Sequence, residues 1–121
     1  MPITYELTVS LTENLYIPLI SFSQSNVDSV ILDIQILVDR EKPLDLTGST
    51  AEIVMKAPSN TISTQDCVID PSEATNGQLS VLLDELLYAE TGEHLAEIYI
   101  YHNTEVMPSK PFKIRIESGL I

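Results

Sequence analysis

Tryptophan is absent from this 121-residue chain, phenylalanine occurs twice and cysteine once. With aromatics at 6% and hydrophobic residues at 44%, the core must be aliphatic. A lone Cys67 excludes an intrachain disulfide and fits folding in a reducing cytoplasm. Met1-Pro2 brings no basic stretch followed by an apolar one, so no cleaved signal is expected. No apolar run approaches the roughly 18 residues of a membrane span. Positive charge is scarce: six Lys and Arg stand against eighteen Asp and Glu, for a net charge of -12. A phosphate backbone demands a basic footprint, so nucleic acid is excluded as a partner. Lys and Arg are missing altogether between Lys56 and Lys110, where nine carboxylates from Asp66 to Glu105 lie. The positive charges gather at Arg40 and Lys42 and again at Lys110, Lys113 and Arg115.

What is present is alternation. Residues 29–56 read strand, turn, strand, and the rest of the chain is organised around them. Val30, Leu32, Ile34, Ile36 and Val38 point one way, the period of a pleated ribbon. Ile31 and Leu37 add apolar bulk to the second face, which predicts a central strand covered on both sides. Charge and Pro43 break the pattern. Leu44 and Leu46 then point together across Asp45, anchoring the connection at the end of a sandwich, with Gly48 at positive φ. Ala51, Ile53 and Met55 restart the alternation.

Further strands are expected at 3–11, 15–22 (interrupted by Pro18), 61–69, 78–83, 94–102 and 110–117. In the third of these regions Ile62, Cys67, Val68 and Ile69 are the buried candidates. Asn76-Gly77 signals a tight turn with positive φ at Gly77. Asp84 is placed to cap one helical turn crossing between sheets. The expectation is all-β: an immunoglobulin-like β-sandwich of about eight mostly antiparallel strands with one short helical turn, occupying residues 1–117. Residues 118–121 form a tail.

Little of this is catalytic chemistry. His94 and His102 lie about 26 Å apart on an extended strand, too far to share a metal. Asp66, Asp70, Glu73 and Asn76 crowd one loop but lack a calcium-loop spacing. Cys67 has no basic neighbour to make it a nucleophile. The glycines are single turn residues, and none opens a phosphate-binding helix. No catalytic residue, cofactor or metal ligand is assigned.

A long aliphatic strand entered from Asn26-Val27-Asp28, a Lys42-Pro43-Leu44-Asp45-Leu46-Thr47-Gly48 turn and a Thr50-to-Lys56 strand form a distinctive series. Asn76-Gly77-Gln78-Leu79, the turn at 83–87 and Thr91-Gly92-Glu93-His94 continue it. The series, over residues 15–117, resembles the N-terminal domain of the baseplate upper protein family of tailed phages that infect Gram-positive bacteria. The resemblance implies a non-enzymatic structural part of a virion tail baseplate, made in the host cytoplasm. It would attach to the distal tail hub protein and organise receptor-binding proteins for host adhesion. Chains of that family usually continue into a linker and a C-terminal region, so 118–121 would start such a linker. The alternative is an immunoglobulin-like adhesion or carbohydrate-binding module, with Tyr16, Tyr88, Tyr99 and Tyr101 as its aromatic platforms.

One contact patch is expected. Pairing 94–102 with 110–117 so that Ile98 faces Ile114 and Ile100 faces Phe112 keeps the inner face apolar. The same register sets Glu97 opposite Arg115 and Tyr99 opposite Lys113, with Tyr101 extending the strip. Tyr99, Tyr101, Lys113 and Arg115 would then form a partner-binding surface. The domain alone is expected to be a monomer or weak oligomer, since like-charged surfaces repel and no heptad segment is present.

Overall fold

Val30, Leu32, Ile34 and Ile36 have no exposed surface, and the strand they define is the middle of one sheet. The structure, a computed structural model, describes residues 3–25 and 29–118, with Tyr88 by its backbone alone. Met1-Pro2, the Asn26-Val27-Asp28 entry and the 119–121 tail therefore lie outside the described residues, as does the side chain of Tyr88. Among the described residues there are nine strands: β1 (Ile3–Ser10), β2 (Ile20–Ser23), β3 (Val30–Leu37), β4 (Thr50–Lys56), β5 (Ile62–Asp66), β6 (Gln78–Leu82), β7 (Gly92–His102), β8 (Glu105–Pro108) and β9 (Phe112–Glu117). The helical turn expected after Asp84 is the 3-10 turn Glu85–Tyr88, and a second 3-10 turn, Ala74–Asn76, adds to it. The fold is all-β, a sandwich of two sheets.

The smaller sheet has the order β1-β3-β6 and the larger the order β2-β9-β7-β4-β5, with β8 also on β7. Pairing is mostly antiparallel, but β1 with β3 and β2 with β9 are parallel. Each parallel pair needs a long return connection. For β1 and β3 that connection passes through β2 in the other sheet: residues 11–19, which contain Pro18, lead into β2, and β2 is confined to four residues at its sheet's edge. Between the sheets, Leu32, Ile34 and Ile36 pack with Ile53, Met55, Ile98, Ile100, Ile114 and Ile116, all under 2% exposed. Burying each such side chain contributes about 1.5–3 kcal/mol.

Alternation failed in two places. Ile62 and Val68, expected inside, are 62% and 65% exposed. β5 is an edge strand whose inward positions hold the polar side chains of Ser63 and Gln65, so its isoleucine has no core face to join. The second face of β3 is likewise only half covered: Ile31, Asp33 and Gln35 are all half-buried, although Leu37 is buried.

The last hairpin pairs differently from the expected register. His94 faces Ile114 and Ala96 faces Phe112, so Leu95, and not Tyr99, lies opposite Lys113, and Glu93, not Glu97, opposite Arg115. The cause is an extra strand. A two-residue turn with Asn103 at φ +54 sends the chain straight back as β8, which pairs with the tyrosine end of β7. One additional residue at Lys110 then shifts the pairing before β9 begins. Buried Ser109 closes the gap in the ladder. Its amide donates to Ile98 O (2.8 Å), its hydroxyl accepts from Ile98 N (3.0 Å), and Lys110 N donates across to Ser10 O (2.8 Å).

Candidate docking surfaces

Two open sheet faces and one buried junction carry the residues that matter for contact with a partner. The junction fixes the rest. After β3 the chain turns through Asp39, whose carboxylate accepts the amides of Glu41 and Lys42 at 2.9 Å. These bonds hold its pKa below the usual carboxylate value. Leu44 N then donates to Ile36 O (2.9 Å) and Leu46 N to Ala74 O (2.8 Å), which lays the segment beside the end of β3. Leu46 is 1% exposed and Leu44 packs half-buried on the core. Gly77, at φ +71, joins the same place, its carbonyl accepting from Ile36 N at 2.8 Å. A Cβ there would overlap Ile36 O and crowd Leu44. Gly48 (φ +76) stands away from this junction, with His102 as its neighbour.

The outer face of the larger sheet carries Tyr99, Tyr101, Lys113 and Arg115. They share a face but divide into two ends. At one end Tyr99 lies between Glu52 and Pro108, and Tyr101 between Thr50 and Val106. The Tyr101 hydroxyl donates to the Glu52 carboxylate in a short hydrogen bond. That bond is the chief reason its pKa rises above 10.0. At the other end Lys113 pairs with Glu93 at 3.1 Å, and Arg115 projects as an exposed cation. Four residues of β7 separate the two ends, roughly 13 Å.

The outer face of the smaller sheet is different. Its register sets Thr4, Ile31 and Leu82 in one row, Glu6, Asp33 and Ser80 in the next, and Thr8, Gln35 and Gln78 in the third. Residues 68–73 rise along one side, tied on by mutual backbone bonds between Val68 and Ser80 (2.7 and 2.9 Å). Tyr16 and Pro18 rise along the other. Concavities of about 430 and 590 Å³ meet at Asp33 and Gln78, making one trough. This face is not legible in the sequence, because Ile31 and Leu37 predict a strand covered on both sides. The signal was Asp33, a carboxylate at an outward position of the most apolar strand.

The remaining chemical candidates do not converge. Among the described residues no three His, Cys, Asp or Glu side chains gather to hold a metal ion. Asp70 accepts from the amide and hydroxyl of Ser72 (3.0 and 2.9 Å), and Glu73 accepts from Asn76 Nδ2 (3.2 Å). Burial, with Asp66 and Glu52 nearby, pushes the Cys67 thiol up to about 12. His94 is 2% exposed on β7, its Nε2 2.9 Å from Glu90 O. His102 sits against Ser49 Oγ at 3.1 Å.

A family model described as the BppU N-terminal domain, BppU being the baseplate upper protein, matches residues 3–121. The chain belongs to this family. It is a structural component of the phage tail baseplate, and its place is the virion. Among solved structures, this baseplate domain is similar to the N-terminal domain of phage TP901-1 ORF48. Identity is 19% over 94% of this chain and 98% of that one, with a TM-score of 0.77. At that identity the likeness is one of fold. No curated protein matches the sequence.

In the baseplate domain, the lengthwise division of the larger sheet's face follows from β8. That strand occupies the stretch of β7 where Tyr99 and Tyr101 lie, so Lys113 and Arg115 are displaced toward the start of β7. A hairpin read from parity alone keeps the face right and the position along it wrong.

Proposed function

We propose that this domain attaches to the distal tail hub protein and organises receptor-binding proteins around it, without catalysing a reaction. The observation that supports this reading is the pair of open outer faces on one bonded sandwich, each with its own chemistry. An adaptor needs two contact surfaces held at a fixed separation, and a sandwich stitched at Ser109-Lys110 and at Val68-Ser80 holds them so. The hub contact is assigned to the larger sheet's outer face. There Tyr99 and Tyr101 offer amphipathic area, and Arg115 offers a cation free of ion pairs among the described residues.

Purified hub protein supplies the test. Changing Tyr99 and Tyr101 to Ser together with Arg115 to Glu should weaken hub binding at least tenfold while the thermal melt is unchanged. Unchanged binding in a folded variant would move the hub contact to another face. If the unaltered domain binds neither hub nor receptor-binding protein but does bind cell-wall saccharide, the adaptor reading itself fails.

A further inference from the structure

We infer that the trough over the smaller sheet is a docking surface for a basic extended segment of a partner protein, one in which lysine or arginine alternates with small apolar residues. This inference uses the face opposite the proposed hub contact and does not depend on it.

Charge is the first observation. Glu6 and Asp33 are direct neighbours on the parallel strands β1 and β3. Like charges side by side on adjacent strands are destabilising. Among the described residues neither forms an ion pair. Asp33 only accepts from Gln78 Nε2 at 3.1 Å. Asp70 and Glu73 on the rim add two more carboxylates, and no Lys or Arg lines either concavity.

Shape and apolar surface are the second. The trough has a half-buried Ile31 in its floor, Val68 65% exposed at one side and Tyr16 90% exposed at the other. Val68 and Tyr16, and the uncovered part of Ile31, thus present apolar area to solvent. The ring of Tyr16 also presents a π face that attracts a cation.

Charge complementarity then selects the occupant. A cationic side chain placed over Glu6 and Asp33 turns their mutual repulsion into two attractions. The intervening small apolar residues reach Ile31 and Val68. An extended chain repeats one side roughly every 6.6 Å, the same spacing as successive outward residues of β1 and β3 beneath it. Anionic polymers are repelled from the same surface.

The test titrates the folded domain with a labelled ten-residue peptide alternating lysine and valine, and with a twin carrying glutamate for lysine. Anisotropy reports affinity, and amide shifts report position. The lysine peptide should bind with an affinity that falls as salt rises, shifting Ile31, Asp33, Val68 and Ser80. Asp33→Asn with Glu73→Gln should weaken it at least tenfold, the new side-chain amide keeping an acceptor for Gln78. Glu93→Gln with Glu97→Gln removes the same charge from the other face and should change affinity less than twofold. A thermal melt checks each variant, and Glu6→Gln with Glu73→Gln serves if Asp33→Asn unfolds the sheet. Equal weakening by the two faces' variants would mean that binding follows net charge, and the assignment would be wrong. Shifts outside the trough, or equal binding of the glutamate twin, would also overturn it.

Discussion

Gly77 and Leu46 meet at one junction but answer to different physics. Leu46 is a packing residue, and Leu46→Ala should cost about 2–4 kcal/mol through lost transfer energy and the cavity left behind. Gly77→Ala adds strain at φ +71 to a Cβ for which Ile36 O leaves no room, so its cost should be no less, although only one methyl is added. Urea melts of both variants check this. A loss below about 0.5 kcal/mol for either would place that residue outside the junction. In the sequence Leu46 was legible from its spacing with Leu44, and Gly77 from Asn76-Gly77. Their meeting was not legible, because it depends on residues 74–77 returning to a segment about thirty residues earlier in the chain.

The elements themselves divide by how local their cause is. Strands β3, β4, β6 and β9 follow from strict alternation, and the 3-10 turn at Glu85–Tyr88 from its Asp84 cap, which accepts Leu86 N at 3.0 Å. β8 escaped notice because Val106 and Met107 are few and its turn, Asn103-Thr104, lacks glycine. That one short strand also moved the position of β9 along β7. The turns carry a prediction of their own. Asp39, Asp45 and Asp70 each accept hydrogen bonds from groups two or three residues on: Glu41 and Lys42 for Asp39, Thr47 for Asp45, Ser72 for Asp70. All three have pKa values lowered from 3.8. A carboxyl with a lowered folded pKa stabilises fully above its unfolded value and loses that stabilisation as pH falls through the folded one. Thermal stability should therefore decline below about pH 4, and less steeply when the three are changed to Asn. Parallel curves for the variant and the parent would remove these turns from the acid response.

On the scale of the whole molecule, charge governs how copies meet. With a net charge of -12, like surfaces repel, and light scattering should find a monomer or a weak, dilution-sensitive oligomer at moderate ionic strength. A trimer that survives dilution would contradict this. The two-sheet architecture was legible from eight alternating runs and the turns between them. The trough was not, because its carboxylates come from β1, β3 and residues 70–73, and only the sheet order β1-β3-β6 sets Glu6 beside Asp33.

The two parallel pairs have a mechanical consequence. The first strand, β1, is bonded to β3 in register over eight residue pairs, and the last, β9, is held between β2 and β7. Tension drawn lengthwise through these two strands cannot peel them rung by rung. Every rung of the β1–β3 ladder bears load at once and must slip together before the chain gives. A domain loaded along its first and last strands is thus a shear clamp, stiff along the direction of pull and yielding only when a whole ladder lets go.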